Sequence, residues 1–123
     1  MLNYELDDVN GILTVTPEGP LEARDFEQLA QAVDPWIERH GHLHGLMIRA
    51  EAFPGWRDFA ALISHFRFVR DHHQRIARVA AVTDNSFLAV APQIARHFVD
   101  AELRHFAFHD KAPALAWLKQ AAE

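Results

Sequence analysis

Five short stretches of the chain have the hydrophobic pattern of β-strands. The pattern predicts strands at residues 4–6, 12–15, 46–48, 76–83 and 103–108. Asn10 and Gly11, which separate the first two stretches, both tolerate a positive φ angle and therefore predict a hairpin turn. The run Leu46-Met47-Ile48 contains no polar residue, as expected of a strand that is buried on both faces of a sheet.

Four further segments have apolar residues at the three- and four-residue spacing of an amphipathic helix. These apolar stripes cover residues 21–37, 56–69, 84–98 and 115–121. Gly41 is a C-cap residue for the first helix, and Asp110 is an N-cap residue for the last one. The last helix also carries Trp117, which we expect in the hydrophobic core.

The order β-β-α-β-α-β-α-β-α predicts an α/β fold with an N-terminal β-hairpin, a mostly parallel sheet and right-handed crossovers. We expect residues 1–123 to form a single domain. The crossovers would place the helices mainly on one face of the sheet, although parallel sheets are normally covered on both. The strands alternate only partly, since Met47, Arg49 and Glu51 share one face and lie opposite Leu46, Ile48 and Ala50, so the uncovered face would have mixed polarity. This reasoning predicts a homodimer.

Composition narrows the classes of function. The chain has a net charge of -5 and no basic stripe, which argues against binding to nucleic acid. It has no cysteine, which excludes disulfides and thiolate nucleophiles. No apolar run reaches the roughly 18 residues of a membrane span, and the amino terminus does not resemble a signal peptide. We expect a soluble, cytoplasmic protein.

Nine histidines are the clearest chemical feature of the chain. His40, His42 and His44 alternate, and imidazole is a common metal ligand, but their spacing matches no structural zinc pattern. We expect no metal site, and capture of a metal by these side chains stays open. His65 and His72 lack a recognisable partner for acid–base chemistry, and neither serine lies in a nucleophile motif. We expect no catalytic residues and no cofactor, with an enzyme using His65 or His72 as a remote alternative.

The segment after the central strand is the best candidate for a binding site. Phe53 and Trp56 flank a Pro54-Gly55 turn at the carboxyl end of a strand, where open α/β sheets bind their ligands. Arg57 adds a positive charge, which suits an amphipathic ligand with an acidic head. Trp56 also has helical spacing with the apolar stripe that follows it, so a buried position for this side chain is the alternative.

Four segments of the chain carry a family resemblance. They are Phe53-x-Gly55-Trp56, residues 75–84, residues 103–106, and residues 114–118 with the closing motif Ala-Leu-Ala-Trp-Leu. Together they resemble the SpoIIAA-like family of small bacterial proteins, and the likeness extends over residues 11–118. The resemblance implies a right-handed βα superhelix like that of STAS domains (sporulation anti-sigma-factor antagonists) and of the lipid-binding CRAL-TRIO domains.

The sequence departs from this pattern in two places. In STAS antagonists a serine after the third strand is phosphorylated, whereas residues 52–57 contain no hydroxyl group. We therefore expect no regulatory phosphorylation between Ala52 and Arg57. Phe87 stands where the SpoIIAA-like family usually has tryptophan. The resemblance implies a non-catalytic binding or regulatory module with a protein partner or a small amphipathic ligand. The alternative, by analogy with CRAL-TRIO domains alone, is a carrier of a lipid or other hydrophobic ligand.

Overall fold

The computed structural model describes residues 2–50, 64, 68, 76–83 and 101–120. Each of the five predicted strands is present, and two of the predicted helices are described in full. The elements are β1 (Leu2–Asp7), β2 (Ile12–Pro17), α1 (Ala23–His40), β3 (Leu43–Ala50), β4 (Ile76–Thr83), β5 (Glu102–Ala107) and α2 (Lys111–Gln120). Ser64 and Phe68 are helical, as the second apolar stripe predicts, and the predicted third helix lies outside the described residues.

The strands form one five-stranded sheet in the order β1-β2-β3-β4-β5. β1 pairs antiparallel with β2, and the other three pairs are parallel, which confirms the predicted hairpin and mostly parallel sheet. β3 is eight residues long, and its ladder with β4 extends from the Leu43–Ile76 pair to the Ala50–Thr83 pair. The three-residue apolar run therefore marked only the middle of this strand.

The hairpin turn is held by Asp7. Its carboxylate accepts hydrogen bonds from the backbone N–H groups of Val9 and Asn10, at 3.0 Å and 3.1 Å, and from the Asn10 side-chain amide at 2.8 Å. Gly11 has the positive φ angle of 68° that the turn requires, whereas Asn10 does not have a positive φ. The predicted turn is confirmed, but Asn10 contributes through the hydrogen bonds that its backbone and side chain donate to Asp7, and not through a left-handed backbone.

Local interactions fix both ends of α1. Glu22 and Asp25 form a capping box, in which the Asp25 carboxylate accepts the Glu22 backbone N–H at 2.8 Å. At the other end Gly41 has φ 89° and donates its N–H to the Ile37 carbonyl, so the predicted C-cap is confirmed. In the part of the chain that the structure describes, no helix is both long and apolar enough to cross a membrane.

The two described helices cover opposite faces of the sheet. On one face α1 packs against β2, β3 and β4 through a cluster that includes Val33, Leu46 and Val79. On the other face α2 packs its Ala114 and Leu118 on a cluster from β2, β3 and β4. The side chains at the centre of both clusters are fully buried, and each contributes about 1.5–3 kcal/mol to folding.

Each face of the sheet thus carries one of the two described helices. The expectation that the helices lie mainly on one face also depends on the helices predicted at residues 56–69 and 84–98, which lie largely outside the described residues. β3 and β4 are covered on both sides, since Met47 and Val82 on the α2 side are as fully buried as Val79 on the α1 side. The exposed side chains of the sheet lie instead on its outer strands, β1 and β5. Trp117, expected in the core, is half-buried at the margin of the α2 cluster.

Candidate ligand-binding edge

The parallel strands β3, β4 and β5 end side by side. Ala50 pairs with Thr83, and Thr83 pairs with Ala107, so the three carboxyl ends lie in register. We call this region, together with Arg49 and Phe108, the carboxyl edge. Ligands of open α/β sheets bind beyond the carboxyl ends of the strands, so this edge is the first place to look for a site.

Arg49 places a positive charge at the carboxyl edge. It lies on the α2 side of β3, two residues after the fully buried Met47. Its guanidinium carbon is 4.2 Å from the centre of the Phe108 ring, a cation–π contact. Its Nη2 donates to the Phe108 carbonyl oxygen at 3.4 Å, which is long for a hydrogen bond. The side chain is therefore held against Phe108 but poorly satisfied by it.

The Nε–H group of Arg49 is buried and has no hydrogen-bond acceptor in the part of the chain that the structure describes. Among the described residues, no carboxylate forms an ion pair with this guanidinium. A buried donor without an acceptor costs about 1–3 kcal/mol, and more when the group is charged. Arg49 thus combines a permanent charge, a fixed orientation and an unused donor, which is the combination that an incoming anion would satisfy.

The opposite face of the carboxyl edge is polar as well. Nε2 of His105 lies 3.2 Å from the carbonyl oxygen of Thr83, and because a carbonyl only accepts, this nitrogen carries the proton. Thr83 itself is buried. His109 packs edge-on to the Phe108 ring, with their centroids 5.7 Å apart. The edge therefore has an arginine on one face, a histidine on the other and an aromatic side chain just past the end of β5.

The predicted ligand-binding residues Phe53, Gly55, Trp56 and Arg57 lie outside the described residues. They follow Ala50, the last residue of β3, by three to seven positions. Sequence reasoning missed Arg49, although it had a signal. An arginine directly after the apolar run of residues 46–48 places a charge at the end of a central strand.

The histidine cluster is divided between separate environments. His40 is the last residue of α1, and its ring stacks on Trp36 with a centroid distance of 3.8 Å. Nδ1 of His44 lies 2.7 Å from the carbonyl oxygen of Asn10 in the hairpin turn. The His42 ring meets that of His44 edge-on at 5.3 Å. Within the described ranges, no three histidine or carboxylate side chains are grouped as ligands for a metal ion.

Comparison with protein families now adds to this geometry. The model of the SpoIIAA-like family matches residues 12–119. The chain belongs to the SpoIIAA-like family. Its structure is also similar to the crystal structure of an uncharacterised protein with a SpoIIAA-like fold from Shewanella loihica PV-4, at 21% sequence identity and a TM-score of 0.67. The match covers 96% of this chain and 92% of that one, so the STAS-like fold extends over nearly the whole sequence. No curated protein matches the sequence.

The closing motif of this SpoIIAA-like chain has a clear structural role. Ala114 and Leu118 are fully buried between α2 and the sheet. Leu118 packs against Gly45 of β3, where an added Cβ atom would lie 2.9 Å from its Cδ2. The Trp117 ring covers the outer side of the same junction and lies 5.9 Å from the Phe106 ring. The motif therefore packs α2 against β3, β4 and β5.

Proposed function

We propose that this SpoIIAA-like protein is a cytoplasmic, non-catalytic binding or regulatory module that holds an anionic group at the carboxyl edge of its sheet. The observation that carries the proposal is the Arg49 guanidinium, which is fixed over Phe108 with a buried, unpaired Nε–H. SpoIIAA-like domains are typically non-catalytic, which supports a binding role over an enzymatic one. The bound group belongs to a protein partner or to a small amphipathic ligand.

The chemistry of Arg49 favours a carboxylate or phosphate oxygen as its partner. A guanidinium stays charged at every physiological pH and offers pairs of N–H groups that match the two oxygens of such an anion. One oxygen would accept from Nε and the second from an Nη group. That pair of charge-assisted bonds would satisfy the donor that the fold leaves unpaired.

The predicted residues extend this site in one direction. Phe53 and Trp56 would provide an apolar wall beyond the end of β3, and Arg57 would provide a second positive charge. Gly55 would let the backbone approach the bound group closely. An amphipathic molecule with an acidic head, or an acidic and aromatic segment of a partner protein, fits this combination.

Carrying a lipid or hydrophobic ligand is the second candidate function. It rests on the likeness of the STAS-like fold to CRAL-TRIO domains and is favoured by the aromatic side chain of Phe108 and by the aromatic residues Phe53 and Trp56 that the sequence predicts for the site. The two functions differ in whether binding requires the acidic head group of the ligand. A binding site built on Arg49 requires an acidic head, whereas a carrier that recognises the tail does not.

Octyl phosphate and octanol test this difference, since they share a tail and differ in charge. We expect octyl phosphate to bind, as measured by calorimetry, and octanol to bind at least tenfold more weakly. Arg49→Gln should weaken octyl phosphate binding about tenfold or more, because it removes charge-assisted bonds worth about 1.5–3 kcal/mol. Arg39→Gln is the matched control, since Arg39 is an exposed arginine on α1, and it should bind as the wild type does.

Native mass spectrometry of protein purified from its own host complements this test. A bound acidic amphiphile or a stoichiometric protein partner, either one lost in Arg49→Gln, supports the proposal. Equal binding of octyl phosphate and octanol, unchanged in Arg49→Gln, would favour the hydrophobic carrier. Turnover of a substrate that depends on His65 or His72 would contradict both binding functions.

A further inference from the structure

β5 is the outermost strand on its side of the sheet, and the described part of the chain has no strand beyond it. Its side chains are exposed on both faces, at Glu102 and Arg104 on the α2 side and at His105 on the α1 side. No residue of β5 is fully buried, whereas its neighbour β4 is buried along most of its length. Such an edge presents backbone N–H and C=O groups that can pair with another strand.

Glu102 and Arg104 give this edge a specific charge pattern. They are two residues apart, so both point to the α2 side of the sheet. The Glu102 side chain is 68% exposed, and its carboxylate lies 3.5 Å from Nε of Arg78. The Arg104 guanidinium lies over the Phe106 ring at 5.1 Å, and among the described residues no carboxylate forms an ion pair with it. One edge strand thus carries an exposed acid and an exposed, unpaired base.

We propose that two copies of the chain pair antiparallel through β5, about a two-fold axis at Leu103. In this register Glu102 of each copy lies opposite Arg104 of the other, which forms two equivalent ion pairs. The half-buried Leu103 lies opposite its own copy and adds an apolar contact at the axis. Directly opposite residues in an antiparallel pair have their Cβ atoms about 4.5–5.5 Å apart, so both contacts are within reach.

The neighbouring registers are less favourable. A two-fold axis perpendicular to the sheet leaves the α1 sides of both copies on the same face of the joined sheet. Residues directly opposite each other must then point to that same face, so the axis lies at one residue position and not between two positions. An axis at Glu102 would oppose two carboxylates, and an axis at Arg104 would oppose two guanidinium groups. An axis at His105 would oppose two imidazoles and leave Glu102 without a cation from the other copy. Of these four registers, only the axis at Leu103 opposes unlike charges within β5.

The interface is small and separate from the carboxyl edge. The register uses the first half of β5 and leaves Phe108, the residue that holds Arg49, outside the strand pair. About five residues of each chain take part, well below the size of a standard protein interface, so the dimer should be weak. A dissociation constant on the order of tens of micromolar is expected for it.

Exchanging the charges between two variants tests the register directly. Arg104→Glu alone would place two carboxylates opposite each other at both positions, and Glu102→Arg alone would place two guanidinium groups there. Each variant should dimerise at least about tenfold more weakly than the wild type, as measured by sedimentation equilibrium. A 1:1 mixture of the two variants restores both ion pairs, and it should form heterodimers with an affinity within about threefold of the wild type.

The controls make the same charge changes elsewhere. Arg39→Glu and Glu38→Arg reverse exposed charges on α1, and both variants should dimerise as the wild type does. Circular dichroism spectra that match the wild type show that the β5 variants are folded. A wild type that is monomeric at 200 µM (about tenfold above the expected constant) would overturn the proposal. Folded β5 variants that dimerise as tightly as the wild type would also overturn it. So would a 1:1 mixture of the two folded variants that does not form heterodimers with near-wild-type affinity.

Discussion

Asp7 stabilises the hairpin turn with one carboxylate that accepts three hydrogen bonds. The bonds from the Asn10 side chain and backbone, followed by that from the Val9 backbone, lower the pKa of Asp7 below its usual value of 3.8. Lys119 lowers this pKa further through its charge. A carboxyl group whose pKa is lowered by folding stabilises the protein above its unfolded-state pKa, and this contribution is lost as the pH falls through the folded-state pKa.

Asp7→Asn should therefore destabilise the protein in a pH-dependent way. An amide keeps one acceptor for the turn but removes the negative charge, so we expect a loss of about 0.5–1.5 kcal/mol at pH 7. The difference from the wild type should narrow only as the pH falls below about 4 and on through the lowered pKa of Asp7, because the wild-type carboxylate is then protonated too. Urea unfolding at several pH values measures both effects, and a difference that does not change with pH would contradict this account.

The hairpin also shows how far individual residues could be predicted. The Asn10-Gly11 pair identified the turn, and Gly11 has the predicted backbone conformation. A glycine is required at position 11 for a second reason, which the sequence did not show. A Cβ atom at Gly11 would lie 2.9 Å from Cζ2 of the buried Trp36 and 3.0 Å from Nδ1 of His44. These neighbours come from 25 and 33 residues away, and local pattern carries no information about them.

The position of α2 on the sheet depends on one contact between α2 and β3. Gly45 of β3 lies directly under Leu118 of α2, and an added Cβ atom would be 2.9 Å from Cδ2 and 3.1 Å from Cβ of that leucine. β3 and α2 are both well anchored, since Met47 and Leu118 are fully buried. An extra methyl group at Gly45 must therefore displace the helix or force Leu118 into a poorer rotamer.

A double-mutant cycle tests this contact. Gly45→Ala alone should cost about 1–3 kcal/mol through overpacking, and Leu118→Ala alone about 2–5 kcal/mol through the cavity it leaves. The double variant should cost at least about 0.5 kcal/mol less than the sum, because the shorter side chain at 118 makes room for the new methyl group. Leu29→Ala on the α1 side is the control partner and should be additive with Gly45→Ala. Additivity of both pairs in urea unfolding would show that Gly45 and Leu118 do not constrain each other.

The elements themselves were more predictable than their placement. Short apolar runs located all five strands, and the 3.6-residue period located both described helices, because those patterns reflect which residues are buried. The pattern did not show which face of the sheet each helix covers. Residues 114 and 118 of α2 pack against Ile12, Met47 and Ala80, which come from three different strands. That choice depends on contacts between distant segments, about which the local pattern carries no information.

Across the whole molecule, the buried core and the candidate binding edge are separate. The core is built from both faces of β3 and β4 and reaches full burial at Met47, Val79 and Val82. Arg49 lies at the end of the same strand but is only half-buried, and its contacts are made with Phe108. The sequence predicted that a site would lie at this end of the sheet. It did not indicate Arg49, because the lack of an acceptor for its Nε–H is a property of the folded protein.

The three tryptophans allow a test of this separation. Trp36 is 4% exposed and packs inside the α1 cluster, so it serves as the core reference. Trp36→Ala should cost about 3–5 kcal/mol, the usual range for a buried tryptophan. Trp117→Ala should cost less than Trp36→Ala, since the half-buried Trp117 ring contacts Phe106 and the guanidinium of Arg78, 4.9 Å away, at the margin of the core. Trp56→Ala should cost less than half as much as Trp36→Ala if Trp56 belongs to the binding site. Urea unfolding of the three variants gives the comparison, and an equal loss for Trp56→Ala and Trp36→Ala would place Trp56 in the core and leave Arg49 as the principal residue of the proposed site.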